Sequence, residues 1–175
     1  TNLFLEKLGD MFPKTHVYKA NGELNFLIHR RFSVDHLNYD NREMKDKVKM
    51  YLENVVIPHK VAVYEAGYQI VSSGYIAKYL TDLEIEEFQH NLLVHDLSKF
   101  SANEAFGYAM YNRKTGSGKE GFEAAWHHHK MNNPHHPEYW FNPNRSGQLE
   151  PIPMPVLYVM EMIADWMGAG KTYGS

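Results

Sequence analysis

The chain has 175 residues, of which 43% are hydrophobic, and a formal net charge of -3. This length suits one domain with a substantial core, and the charge gives no footprint for nucleic acid or for an anionic membrane surface. The chain lacks cysteine, which excludes disulfides and leaves nitrogen and oxygen to hold any metal. No segment has the roughly 18 apolar residues that span a bilayer, and the first residues lack a signal-peptide pattern. We therefore expect a cytoplasmic protein that has no membrane partner.

The first part of the chain differs in pattern from the remainder. Residues 1–50 are predicted to form an extension with a small β-hairpin, because Asn21 and Gly22 join two β-compatible segments and this pair is a strong hairpin signal. Residues 51–175 are predicted to form a helical domain. The expected fold class is mainly α, with both parts in one compact unit.

Helical periodicity begins near Asp40. Capping-box patterns at Thr81 with Glu84 and at Ser101 with Glu104 predict two of the helix starts. The predicted helices cover about 42–54, 58–72, 81–97, 102–112 and 119–131, and a last helix follows the prolines 151–155 and ends near residue 167. An irregular segment is expected at 135–144, and the glycine-rich string 168–172 is predicted to stop the last helix and begin a tail.

Polar side chains fall on apolar faces of three predicted helices. His59 lies on the apolar stripe of the second helix, and His95 and Asp96 continue that of the third. Glu161 and Asp165 lie four residues apart on the last helix, which is apolar almost all round and is therefore expected to be central. Burying such groups costs several kcal/mol unless they are paired or bind a metal. A structural salt-bridge network is the alternative to a metal site.

Five of the 11 histidines lie between residues 127 and 136. Successive helical residues fan out by about 100°, so His127, His128 and His129 cannot all face inward. The apolar face of this helix favours His129, with His128 beside it. His135 and His136 follow in the irregular segment. One or two of these histidines are expected to be ligands, while a solvated histidine patch is the alternative for any one of them.

The order His59, then His95 with Asp96, then a distant Asp165 resembles the HD-domain superfamily of metal-dependent phosphohydrolases. The resemblance covers about 55–170. The string HDLSK at 95–99 is similar to the His-Asp-x-Gly-Lys form of the motif, with serine in place of glycine. The strings HHPEYW and EMIADW resemble an uncharacterised family of HD-like proteins from bacteria and their viruses.

This resemblance implies an HD-like helical bundle that binds one or two divalent metal ions. Imidazole and carboxylate ligands suit iron, manganese, cobalt, nickel, zinc or, more weakly, magnesium. Asp96 is implied to bridge two ions. The candidate ligands are His59, His95, Asp96, His128 or His129, His135 or His136, and Asp165.

Further residues have candidate roles around these ligands. Lys99 lies one turn beyond the His-Asp pair and could bind and neutralise a substrate phosphate; the alternative is an ion pair with Glu104 or Glu161. Those two glutamates are the candidates for orienting ligands from behind. Glu138 could act as a general acid or base, or lie at the surface.

The aromatic residues Tyr139 and Trp140 are candidates for stacking on a substrate base, although aromatic residues at helical spacing usually belong to the core. Together these features predict a phosphohydrolase that acts on a nucleotide or another small phosphate ester through a metal-activated water. The nucleotide is implied by family analogy alone. The alternatives are an HD-type di-iron oxygenase and a non-catalytic ligand-binding protein of the same fold.

Overall fold

The computed structural model describes residues 41–174, so the hairpin predicted around Asn21 and Gly22 lies outside the described residues. This part of the chain is mainly helical and carries a small two-stranded antiparallel sheet. None of its helices combines the length and apolar character needed to cross a membrane. The elements in chain order are α1 Arg42–Tyr51, α2 Ile57–Ser72, α3 Asp82–Val94, α4 Ala105–Met110, α5 Lys119–Asn132, β1 Phe141–Pro143, β2 Leu149–Pro151 and α6 Val156–Tyr173.

Helices α1 and α2 form one continuous helical run, where the sequence predicts two separate helices. The π-helical segment Leu52–Val56 joins them. Pro58 has no N–H to donate to the carbonyl four residues earlier, and the N–H of Ile57 bonds to the carbonyl of Leu52 in a wider turn. Because a π segment adds a residue to the helix, it changes the side of α2 that faces the core. His59, near the start of α2, is buried.

Helix α2 is the most enclosed helix of the described chain, with seven buried residues between His59 and Gly67. It packs between α3 and α6, and the main apolar core lies among these three helices. A Cβ atom on Gly168 of α6 would lie 2.7 Å from the backbone nitrogen of Val63, so the α2 and α6 backbones are in direct contact. The core residues are Val63, Tyr64, Ala66, Ile76, Leu80, Phe88, Leu92, Leu157 and Ala164.

Helix α6 is buried along one side, so the expectation that it is the central helix is wrong. Its buried positions Leu157, Glu161, Ala164 and Gly168 follow helical spacing, while Trp166 is 63% exposed. The helix also continues through the string predicted to stop it and ends at Tyr173, before Gly174 in the left-handed conformation. Gly168 is tolerated inside it because the close contact with α2 leaves no room for a side chain there.

A second apolar cluster connects α1, the π segment and α4. The short helix α4 lies directly against α5: a Cβ atom on Gly107 would be 2.2 Å from the carbonyl oxygen of Gly121. This approach sets Glu104, at the start of α4, beside the histidines of α5. The cluster consists of Val48, Leu52, Val56, Phe100 and Ala105. The boundary predicted after residue 50 falls inside the helical run that contributes to it.

The two predicted capping boxes have opposite outcomes. The Thr81 box is confirmed: its hydroxyl accepts from the Glu84 N–H at 3.4 Å, and Glu84 accepts from the Thr81 N–H at 2.8 Å. The Ser101 box is wrong, because helix α4 begins only at Ala105 and the Glu104 carboxylate bonds to histidine side chains. The segment expected to be irregular contains the 3-10 turn Pro137–Tyr139 and strand β1, which pairs with β2.

Candidate metal centre

Imidazoles and carboxylates from separate helices converge on one buried cluster with Asp96 at its centre. The Oδ1 atom of Asp96 lies 3.2 Å from Nε2 of His129 and 3.5 Å from Nε2 of His135. Its Oδ2 atom lies 3.5 Å from Nε2 of His59. Asp165 of α6 completes the α2 side, with Oδ1 at 2.9 Å from the same His59 nitrogen.

Asp96 reaches the centre because α3 ends earlier than the sequence predicts. The helix stops at Val94, and Asp96 adopts a left-handed conformation with φ of 57°, the one positive φ outside glycine in the described residues. Aspartate tolerates this region better than most residues, but the conformation costs about 1–3 kcal/mol. His95 and Asp96 therefore lie on a turn, and not on the helical stripe from which they were inferred.

Lys60, which was not among the predicted site residues, fixes this turn from α2. Its ammonium donates to the carbonyl of His95 and, at 3.4 Å, to that of Leu93, so a lysine from one helix caps the end of another. Burial lowers the pKa of Lys60 to about 8, against the opposing charge of Asp96. A signal did exist, since Lys60 shares a helical face with Val63 and Tyr64.

Two groups of potential ligands flank Asp96. The first consists of His59, His95 and Asp165, and the second of His129, His135 and His136; the donor atoms within each group lie within 4.8 Å of one another. Because Oδ2 of Asp96 faces His59 and Oδ1 faces His129 and His135, this carboxylate lies between the groups. It is therefore in a position to bridge two cations.

Two buried glutamates, Glu104 and Glu161, contact the Nδ1 atoms of the histidines. Oε1 of Glu161 lies 3.0 Å from Nδ1 of His95 and 3.2 Å from Nδ1 of His135. Glu104 accepts from Nδ1 of His129 at 2.8 Å. A bond from Nδ1–H leaves the Nε2 lone pair free to bind a metal, and all three Nε2 atoms face Asp96.

His95, His135 and Glu161 also lie close enough together to form a ligand group of their own. We interpret Glu161 as the orienting partner instead, because its oxygen contacts the Nδ1 atoms and not the Nε2 atoms. A pocket of about 300 Å³ reaches this side of the cluster, lined by the same three residues with Asn133 and Tyr158 among others. The pocket therefore lies on the Glu161 side of the cluster.

The donor atoms fit a metal. Nε2 of His95, His135 and His136 and Oδ1 of Asp96 are buried and have no hydrogen-bond partner anywhere in the described range. A buried polar atom without a partner costs about 1–3 kcal/mol, yet here several such atoms converge. Nitrogen and carboxylate oxygen together form the donor set that divalent transition metals prefer.

The charges of the cluster also favour a cation. Asp96, Asp165, Glu104 and Glu161 are buried or nearly so and face two cationic side chains, Lys60 and Lys99. Four carboxylates against two ammonium groups leave two negative charges if the imidazoles are neutral. An excess of buried negative charge is costly unless a proton or a metal ion compensates it.

The pKa values of the buried groups reflect this balance between burial and neighbouring charges. Burial by itself would lower the pKa of His95, but Asp96, Asp165 and Glu161 outweigh it and raise this pKa to about 9. Burial would raise the pKa of Glu161, but His135 and His95 hold it at about 2. Burial, together with the charges of His135 and His129, lowers the pKa of His136 to about 4 and keeps that imidazole neutral.

The structure places the remaining predicted residues outside the two groups. His128 lies partly exposed at the outer side of Glu104, 2.7 Å from its Oε1. Lys99 donates to Oδ2 of Asp96, and not to either glutamate proposed as its partner. Glu138 is at the surface and pairs with Lys130 at 3.4 Å.

The two aromatic candidates lie on the β1 side of the cluster. The indole N–H of Trp140 donates to the carbonyl of Pro134 at 2.7 Å, and its ring packs against Tyr158. Tyr139 packs edge-on against Trp140 and is 39% exposed. Trp140 therefore fixes the segment that carries His135 and His136, a role in the fold that its sequence position did not indicate.

Comparison with known proteins gives one family. No curated protein and no solved structure matches the chain. The model of a family of unknown function, DUF5662, matches residues 48–175, which include every residue of the candidate metal centre. The chain therefore belongs to the DUF5662 family.

Proposed function

We propose that this protein is a metal-dependent phosphohydrolase of the HD type, which acts on a nucleotide or another small phosphate ester. The observation that carries the proposal is the pair of ligand groups on either side of the Asp96 carboxylate. This arrangement agrees with the motif order His59, His95-Asp96 and Asp165. We also propose that the helices form an HD-like bundle.

The charge of the cluster supports an anionic substrate. With neutral imidazoles the buried acids and lysines leave two negative charges, and two divalent cations would change this to two positive charges. That value complements the dianion of a phosphate monoester. Bound divalent ions would supply a water of lowered pKa as the nucleophile and would neutralise the phosphoryl oxygens.

The protein's own residues suggest where a substrate would approach. The side chains of Lys99 and Asp165 are 16% and 17% exposed, whereas those of His95, His129 and Asp96 are 2% exposed or less. Lys99 and Asp165 therefore mark the side of the cluster that is open to solvent. The charges of Asp96 and Asp165 help to hold the pKa of Lys99 above its usual value, against the effect of burial. Lys99 is thus a permanent cation at the entrance, suited to a phosphoryl oxygen.

An assay of phosphate release in the absence of oxygen tests the proposal. Protein reconstituted anaerobically with Mn²⁺, Fe²⁺ or Zn²⁺ is assayed against nucleoside mono-, di- and triphosphates and simple phosphate monoesters, with His95→Ala/Asp96→Ala as the inactive variant. We expect phosphate release that depends on metal and is abolished in the variant. Turnover that requires both iron and oxygen would identify an oxygenase and contradict the proposal. Tight substrate binding with no turnover would indicate a non-catalytic binding protein.

A further inference from the structure

We propose that Tyr108 is a specificity-determining residue, whose hydroxyl donates a hydrogen bond to a phosphoryl oxygen of the substrate beside the Lys99 ammonium. This inference rests on the proposed function, since it assigns a further residue to the same site. It uses the phenol only as a neutral donor, and no proton transfer from it is involved.

The Tyr108 hydroxyl is a buried donor with no partner. Its oxygen is shielded from solvent and has no hydrogen bond within residues 41–174. Buried tyrosine hydroxyls usually find a partner, and an unmade bond costs about 1–3 kcal/mol. Because tyrosine differs from phenylalanine here only by this unpaired group, packing alone gives no reason for the hydroxyl.

The ring that carries this hydroxyl is firmly held. It stacks on Tyr51 with centroids 5.8 Å apart, and its other contacts are edge-to-face, with Phe122 at 5.7 Å and His129 at 6.1 Å. The contact with His129 places Tyr108 next to a candidate metal ligand. The ring, and with it the hydroxyl, therefore has little conformational freedom, which lowers the entropic cost of binding a ligand.

Lys99 brings a cation to the same place. Its nitrogen lies 5.7 Å from the centre of the Tyr108 ring, and of its three N–H bonds one is donated to Asp96. An oxyanion near the entrance would accept hydrogen bonds from both the ammonium and the phenol. These bonds would be stronger than the bonds to a neutral ligand.

The test measures binding of inorganic phosphate to metal-loaded protein by isothermal titration calorimetry. Tyr108→Phe keeps the ring and removes the hydroxyl. Tyr111→Phe is the matched control, because it loses a hydroxyl just after the same helix while its ring stacks on Phe122 at 4.4 Å. We expect Tyr108→Phe to bind phosphate about 10-fold more weakly, as for one lost hydrogen bond to a charged group. Metal content should be unchanged in both variants, and Tyr111→Phe should bind phosphate like the wild type.

The outcomes separate this inference from the function on which it rests. Equal phosphate affinity in Tyr108→Phe and wild type, at equal metal content, overturns the role of Tyr108 and leaves the metal centre intact. Metal-loaded wild type that binds no phosphate also overturns it. A wild-type protein that binds no metal contradicts the proposed function itself, and the inference falls with it.

Discussion

The Nδ1 atom of His129 lies 2.8 Å from Oε2 of Glu104, a glutamate with no exposed surface. This bond leaves Nε2 of His129 facing Asp96 at 3.2 Å. We predict that Glu104→Gln weakens metal binding at the His129 group about 10-fold to 100-fold, because a neutral amide holds the required tautomer less firmly than a carboxylate does. Competition with a chelator of known affinity measures the change.

His128 provides the control for this prediction. It contacts the other oxygen of the same carboxylate at 2.7 Å but lies in neither ligand group. His128→Ala should therefore bind metal nearly as tightly as the wild type. If Glu104→Gln keeps wild-type affinity, or if His128→Ala loses metal to the same extent, Glu104 does not act through His129.

The left-handed turn at Asp96 predicts a difference between two substitutions at one position. Asp96→Gly and Asp96→Ala both remove the carboxylate, so neither should hold metal. Glycine adopts a positive φ without the steric cost that alanine meets. In urea denaturation of metal-free protein, we expect Asp96→Gly to have the larger free energy of unfolding by about 1 kcal/mol. The opposite order would show that the left-handed conformation is not retained in solution.

Metal-free protein should be most stable in mildly acidic solution. His95 has a pKa of about 9 in the folded state against 6.5 for the free side chain, so the stability it contributes below pH 6.5 is lost as the pH rises towards 9. Glu161 has a pKa of about 2 against 4.5, so its contribution above pH 4.5 is lost as the pH falls towards 2. His136 has a pKa of about 4 against 6.5, so the stability that its neutral form contributes above pH 6.5 is lost as the pH falls towards 4. The free energy of unfolding should therefore be highest near pH 6.5.

Bound metal should abolish the loss of stability between pH 6.5 and 9, because a bound ion requires neutral imidazoles and replaces the proton on His95. Urea titrations between pH 3 and 9, with and without metal, measure both curves. Metal-free stability that stays constant from pH 6.5 to 9 would contradict the assigned ion pair between His95 and its carboxylate neighbours.

Two glycines at the contact between α4 and α5 should respond differently to alanine. A Cβ atom on Gly107 would lie 2.2 Å from the Gly121 carbonyl oxygen, whereas one on Gly121 would lie 3.7 Å from Gly107. Gly107→Ala should therefore destabilise the protein by about 1–3 kcal/mol and should also weaken metal binding, because α4 carries Glu104. Gly121→Ala should be neutral or stabilising by up to about 1 kcal/mol. Thermal denaturation of both variants checks this, and equal effects would argue against the close contact.

Much of the helical framework could be predicted from the sequence, because helical periodicity and capping residues are local signals. The Thr81 capping box and the start of α5 were predicted on this basis. The apolar stripe that contains His59 correctly predicted that this residue is buried. The same logic failed for the last helix, since apolar composition does not distinguish a central helix from one whose outer side stays exposed at Trp166.

The details of the site depend on contacts between distant parts of the chain, which no local pattern contains. The pattern of Ser101 and Glu104 is typical of a helix cap, yet this carboxylate bonds instead to His128 and His129 of α5. Lys60 resembles an ordinary lysine until the end of α3 is placed against it. The turn at Asp96 likewise depends on the support that Lys60 gives to the His95 carbonyl.

The measurement that tests the central claim most directly is the metal content of protein reconstituted anaerobically and then desalted. Elemental analysis of wild type should find about two divalent ions per chain, as expected for two ligand groups that share a carboxylate. His95→Ala/Asp96→Ala should retain none, while His127→Ala, which alters an exposed histidine beside the cluster, should match the wild type. Wild-type protein without bound metal, or a double variant that retains as much metal as the wild type, would contradict the metal centre described for this fold.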